Sequence, residues 1–86
     1  MRDAPAADVD RLHIAVIGLG YVGLPLAVRL ATRFRTTGFD IDRARVAELR
    51  RGDDRTREID RAQLAATTLD LVDDPAACAG ADVYIV

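Results

Sequence analysis

The stretch LHIAVIGLGYVGLPLAVRLA, residues 12–31, decides the fold of this 86-residue chain. It begins with a largely apolar run, His13–Ile17, which is β-branched at three of its five positions, as in a parallel strand that is covered on both faces. Three glycines follow, and apolar residues then recur at helical spacing as far as Ala31. Pro25 lies early enough in that segment to be tolerated in the first turn of a helix. The stretch therefore predicts a strand, a glycine loop and a helix.

The three glycines have the spacing G-x-G-x-x-G directly after the predicted strand. Gly18 allows a tight turn, Gly20 allows a pyrophosphate to approach the backbone, and Gly23 allows the helix to pack close to the strand. The first turn of the helix offers free N–H groups and the positive end of its dipole to the phosphates. Glycines at this spacing also occur where a strand ends for purely structural reasons. The elements around them therefore decide whether the loop is interpreted as a cofactor-binding site. The predicted cofactor-binding segment is completed by the residues between the glycines, Leu19, Tyr21 and Val22.

A second predicted strand, Thr36–Ile41, carries Asp40 near its end, 22 residues after Gly18. A carboxylate at this place can accept two hydrogen bonds from the adenosine ribose and would repel a 2′-phosphate, which favours NAD over NADP. Arg43 and Arg45 could bind a 2′-phosphate, but we expect its repulsion by Asp40 to outweigh this attraction. Two interpretations of Arg45 stay open: contact with the adenosine end of the cofactor, or a solvated side chain on an exposed helix face.

The rest of the chain continues to alternate helices and strands. The predicted elements, in chain order, are a helix capped by Asp42 and stopped by Gly52, a helix opened by the capping box of Asp60 and Gln63, a strand at Thr68–Val72, a short helix from Asp74 that contains Cys78, and a strand at Asp82–Val86. These elements predict an α/β fold, a Rossmann-like doubly wound parallel sheet with strand order 3-2-1-4.

The domain organisation follows from the same pattern. Residues 1–11 lack apolar periodicity and are predicted to be a flexible N-terminal tail. Residues 12–86 are predicted to be the N-terminal part of an NAD-binding Rossmann domain. Because the last predicted strand is of the buried type and needs neighbours on both sides, we expect this chain to be the front of a larger protein.

Composition excludes several classes of function. The 14 acidic and 12 basic residues leave a net charge of -2, which favours neither a nucleic acid nor an anionic membrane as a partner. With one cysteine, Cys78, and one histidine, His13, no metal site is predicted. We expect both to be structural residues, the cysteine buried as a small apolar group. The sequence has no export signal and no apolar run near about 18 residues, so a cytoplasmic location is expected.

The segments at Ile14–Ala31, Gly38–Asp42 and Ala81–Val86 resemble the nucleotide-sugar 6-dehydrogenases, the family that includes UDP-glucose and GDP-mannose dehydrogenases. The G-L-G-Y-V-G-L-P core is far more specific than the bare glycine spacing. The resemblance implies that the glycines bind the NAD pyrophosphate, that Asp40 holds the ribose and that Arg45 lies near the adenosine.

One segment separates the branches of this family. The chain lacks the Tyr-Glu-Pro-Gly-Leu segment of the UDP-glucose enzymes, and its GDDRTREIDRAQL, residues 52–64, is similar to the branch that oxidises UDP-N-acetylhexosamines to uronic acids for surface polysaccharides. The resemblance thus implies a UDP-sugar substrate, oxidation of its C6 alcohol with two NAD through a cysteine-bound thiohemiacetal, and a homo-oligomer at full length.

The catalytic residues implied by this resemblance lie beyond Val86, so we assign none here and expect the 86-residue piece alone to be inactive. Three alternatives stay open: a UDP-glucose or GDP-mannose 6-dehydrogenase, another NAD-dependent dehydrogenase of the hydroxyacid type, and a non-catalytic nucleotide-sensing module. The sequence beyond Val86 would separate them.

Overall fold

The computed structural model describes residues 11–86, in which strands and helices alternate along the chain. The elements are β1 (His13–Ile17), α1 (Gly23–Ala31), β2 (Arg35–Phe39), α2 (Arg43–Arg50), α3 (Arg61–Ala66), β3 (Asp70–Val72), a 3-10 helix (Pro75–Cys78) and β4 (Val83–Ile85). Apart from Arg11, the predicted tail lies outside the described residues. None of the helices within residues 11–86 is long and apolar enough to cross a membrane.

The four strands form a parallel sheet in the order β3-β2-β1-β4, which confirms the predicted fold class and strand order. In the register of β1 with β2, Ile17 lies opposite Phe39. The two strands therefore end side by side, because both run in the same direction. The glycine loop that follows β1 and Asp40 that follows β2 start next to each other at the carboxyl edge of the sheet.

The predicted helix starts follow from their capping residues. Asp42 accepts hydrogen bonds from the N–H groups of Ala44 and Arg45 at 3.0 and 3.2 Å and caps α2. The capping box of Asp60 and Gln63 opens α3, with both of its hydrogen bonds present. These bonds satisfy N–H groups that a helix leaves free at its start, so short helices of modest apolar content can form here.

The two faces of the sheet pack against different groups of buried residues. Ile14 and Val16 of β1 belong to the larger core, with α1 and α3, whereas Ala15 points to the opposite face and packs with Cys78. Cys78 is buried, as predicted, and burial raises the pKa of its thiol, with a further contribution from Asp70 and Asp74. His13 is buried in β1, and its Nε2 lies 2.7 Å from the Thr37 hydroxyl, which confirms it as a strand residue.

We expect Gly23→Ala to lower the free energy of unfolding by about 3 kcal/mol, since its new Cβ would overlap the carbonyl group of Gly18 and this backbone cannot yield cheaply. Gly20→Ala is the matched control, because a Cβ there meets no atom of the described chain within 4 Å. Urea unfolding of both variants measures the difference. Equal stability of the two variants would contradict this account of the helix packing.

Candidate functional site

Asp40 braces the start of the glycine loop. The N–H of Gly18 donates to the carbonyl of Phe39 at 2.8 Å, and the N–H of Leu19 donates to Oδ2 of Asp40 at 2.9 Å. The other carboxylate oxygen, Oδ1, accepts the N–H of Asp42 at 2.9 Å. An ionised carboxylate has about four acceptor positions, so Asp40 can still accept the two hydrogen bonds of a ribose diol.

The glycine loop presents its backbone to the outside. Gly18 has a φ of +99°, a conformation that favours glycine, and Gly20 faces open space. Tyr21 and Val22 follow with exposures of 69% and 79%. Among the described residues, no side chain caps the start of α1 at Gly23. The N–H groups of Leu24 and Leu26 are bonded to the carbonyls of Gly20 and Val22, so the start of α1 can offer an anion the N–H of Gly23 and its dipole.

Leu19 is the fixed point of this loop. Its side chain is fully buried, and a Cβ added at Gly38 of β2 would lie only 3.0 Å from Leu19 Cδ2. Its N–H is held by Asp40, and its carbonyl accepts a hydrogen bond from Nε of Arg45 at 2.8 Å. The residue before Gly20 is thus held by its side chain and by both of its peptide groups.

Arg45 has an exposed fraction of 5%, so the interpretation as a solvated side chain is wrong. Its Nη1 lies 2.9 Å from Oδ1 of Asp54, at ion-pair distance, and 3.8 Å from Oε1 of Glu48. Neither Nη1 nor Nη2 has a hydrogen-bond partner among residues 11–86, so Nη1 contacts Asp54 as an ion pair only and Nη2 has no contact of either kind. A buried guanidinium is stable only when it is paired, and the contacts to Asp54 and Leu19 supply this pairing. The predicted contact with the adenosine stays a prediction.

Asp54 is the site residue that the sequence analysis missed. Its side chain is fully buried and accepts hydrogen bonds from Thr56 N, Thr56 Oγ1, Glu58 N and Ile59 N at 2.6–3.0 Å. Burial alone would raise the pKa of Asp54, but the hydrogen bonds from Thr56 and Ile59 and the pairing with Arg45 outweigh it and lower that pKa to about 2. The Asp-x-Thr pattern at 54–56 is typical of a side-chain-capped turn and was the available signal.

The donors and the space at this edge fit a dinucleotide. Gly20 leaves room for a pyrophosphate, Asp40 keeps acceptor capacity for a ribose, and Nη2 of Arg45 is a buried donor without a partner in the described chain. A cavity of about 350 Å³ lies elsewhere, between α1 and α3, where Val28 and Ala66 are among the residues that line it. None of the glycine-loop residues lines that cavity, so it is not the candidate site.

Residues 12–85 match the family model of the NAD-binding domain of the UDP-glucose/GDP-mannose dehydrogenase family. A UDP-N-acetyl-D-glucosamine 6-dehydrogenase from Pseudomonas aeruginosa is 57% identical over 53 residues, which are 62% of this chain and 13% of that protein. Protein CapL from Staphylococcus aureus is 39% identical over 74 residues, 86% of this chain and 18% of that protein.

The solved structure of UDP-D-ManNAc dehydrogenase from Pyrococcus horikoshii is similar in fold, with a TM-score of 0.75 and 32% sequence identity. The match covers 85% of this chain and 19% of that chain. The chain thus spans less than a fifth of the length of these relatives, at 13%, 18% and 19%.

The depressed pKa of Asp54 predicts a pH dependence of stability. Because its pKa falls from 3.8 to about 2 on folding, its contribution is fully present above about pH 4 and is lost as the pH falls through about 2. We expect the wild type to lose about 2 kcal/mol of unfolding free energy over this range that Asp54→Asn does not lose.

The control for this measurement is Asp53→Asn, which removes a more exposed carboxylate that pairs with Arg61. Urea unfolding at a series of pH values between about 2 and 7 measures the three proteins. Parallel curves for the wild type and Asp54→Asn would contradict the assignment of the low pKa to Asp54.

Proposed function

Since this chain belongs to the UDP-glucose/GDP-mannose dehydrogenase family, we propose that it binds NAD for an enzyme that oxidises the C6 alcohol of a UDP-N-acetylhexosamine to a uronic acid. One observation supports this proposal most directly. In the glycine loop, the N–H of Leu19 donates to Asp40 and the carbonyl of Leu19 accepts from Arg45. A loop fixed in this way presents donors that need no rearrangement when the cofactor arrives.

In this proposal the cofactor lies across the carboxyl edge of β1 and β2. The N–H groups of Gly20, Tyr21, Val22 and Gly23, at the start of α1, would hold the pyrophosphate. Asp40 would accept hydrogen bonds from the adenosine ribose, and Nη2 of Arg45 would donate to the adenosine end. When bound, the nicotinamide accepts the hydride that leaves the substrate carbon.

The substrate class is supported by residues 52–64 and by the relatives. Two relatives named UDP-N-acetyl-D-glucosamine 6-dehydrogenase, from Pseudomonas aeruginosa and Salmonella typhi, are 57% and 50% identical over the matched parts. Conversion of a C6 alcohol to a carboxylate takes up one water and releases two hydrides and three protons, so it consumes two NAD per sugar. The described residues supply the binding of this cofactor, and no catalytic residue is assigned to the chain. A cytoplasmic location, a homo-oligomer and a role in surface polysaccharide synthesis belong to the same proposal.

We expect the protein to bind NAD more tightly than NADP, because Asp40 repels a 2′-phosphate. Asp40→Asn should weaken NAD binding about tenfold and reduce the preference over NADP, since charge-assisted hydrogen bonds are worth about 1.5–3 kcal/mol each. Titration calorimetry with both nucleotides measures this. Asp42→Asn is the control, because asparagine also caps helices well. An unchanged preference in Asp40→Asn would contradict the role of Asp40.

The proposed reaction is tested with the protein at its native length. We expect NADH to form faster with UDP-N-acetylglucosamine or another UDP-N-acetylhexosamine than with UDP-glucose, at two NADH per sugar, followed by absorbance at 340 nm. Gly20→Ala should abolish the activity and leave the urea midpoint unchanged, because its Cβ enters only the space for the pyrophosphate. Faster oxidation of UDP-glucose would contradict the proposed substrate and favour a UDP-glucose 6-dehydrogenase. Tight NAD binding without oxidation of any of these sugars would favour a non-catalytic nucleotide-sensing module.

A further inference from the structure

The hydrogen bond from Arg45 to the Leu19 carbonyl also fixes the orientation of the N–H of Gly20. The carbonyl of Leu19 and the N–H of Gly20 belong to one peptide group, which is planar and trans, so the two bonds point in opposite directions. With the oxygen held at 2.8 Å from Nε of Arg45, the N–H of Gly20 is directed away from Arg45. A Cβ added at Gly20 would meet no atom of the described residues within 4 Å, so there is room for a ligand beside this peptide group.

Arg45 is held in turn by a residue outside the predicted site. Asp54 lies nine positions further along the chain, in the turn between α2 and α3, and its carboxylate is 2.9 Å from Nη1 of Arg45. The other acidic neighbour, Glu48, lies 3.8 Å from Nη1 and is engaged by Arg55, which is both hydrogen-bonded and ion-paired to it. Asp54 is therefore the carboxylate that neutralises the buried guanidinium.

The turn around Asp54 makes this carboxylate rigid. Its Oδ1 accepts two hydrogen bonds from Thr56, and its Oδ2 accepts the N–H groups of Glu58 and Ile59. A carboxylate held by four hydrogen bonds cannot follow Arg45 if that side chain shifts. It fixes the position of the guanidinium instead.

We propose that Asp54 is a positioning residue for dinucleotide binding, which acts through Arg45 and the Leu19 peptide group to direct the N–H of Gly20 at the pyrophosphate. This inference rests on the proposed function. It links the segment at residues 52–64, by which the branches of the family differ, to the loop that receives the cofactor. Asp54 contributes to affinity without touching the nucleotide.

The experiment compares three ligands on the protein at its native length. NAD and ADP-ribose contain the pyrophosphate, whereas adenosine does not. Affinities for Asp54→Asn and the wild type are measured by titration calorimetry or by displacement of fluorescent NADH. We expect Asp54→Asn to weaken NAD and ADP-ribose about 5- to 10-fold, the loss of one well-directed hydrogen bond, and to change adenosine binding by less than about twofold. Asp53→Asn, in the same turn, should change none of the three affinities.

A second variant keeps the test valid if Asp54→Asn does not fold. Arg45→Lys retains a positive charge for Asp54, but a single ammonium group cannot reproduce the fork that joins Asp54 to the Leu19 carbonyl. We expect Arg45→Lys to weaken NAD and ADP-ribose more than adenosine, whose binding also falls because Nη2 of Arg45 is proposed to donate to the adenosine end. Its circular dichroism spectrum should be like that of the wild type.

The outcomes separate the two proposals. A wild type that binds neither NAD nor ADP-ribose overturns the proposed function itself. A wild type that binds both, together with folded Asp54→Asn and Arg45→Lys variants of unchanged affinity, overturns only the positioning role and leaves Asp54 as a structural residue. Equal losses for adenosine and ADP-ribose in Asp54→Asn also overturn it, because the effect would then not pass through the N–H of Gly20.

Discussion

The carboxyl edge of the sheet depends on how the backbone of Leu19 is held. Asp40 accepts its N–H, Arg45 donates to its carbonyl, and its side chain is buried against Gly38. Gly38 and Asp40 come from β2 and the position after it, and Arg45 comes from α2; parallel pairing of β1 with β2 brings them to Leu19. A phosphate loop built from glycines alone would lose conformational entropy on binding, whereas this loop is ordered by the protein before a ligand arrives.

At this edge of the sheet, the glycine that stability requires differs from the glycine proposed to admit a ligand. Gly23 is required because any side chain there would overlap the Gly18 carbonyl, whereas Gly20 has no such neighbour among the described residues. Gly23 therefore serves the packing of α1 on β1, whereas Gly20 would serve the approach of a ligand in the proposed function. Asp40 would serve both purposes there, since its oxygens brace the loop and keep acceptor capacity for a ribose.

The sequence predicted the elements well because their signals are local. The β-branched run of β1, the cap at Asp42 and the capping box at Asp60 depend on residues within a few positions of one another. The burial of Arg45 could not be predicted in this way. It stands on a helix with charged neighbours, and its burial depends on Asp54, which lies in a charged run that resembles a solvated linker. Ion pairs between such segments are properties of the tertiary fold.

We infer that the Leu19 peptide groups are fixed before the nucleotide binds. Amide hydrogen exchange of the protein at its native length, without nucleotide, tests it most directly. We expect the Leu19 N–H to exchange slowly, like the N–H groups of β1. Those of the exposed Tyr21 and Val22 should exchange fast and become protected when NAD is added. Fast exchange at Leu19 in the free protein, with protection only after NAD is added, would contradict the account.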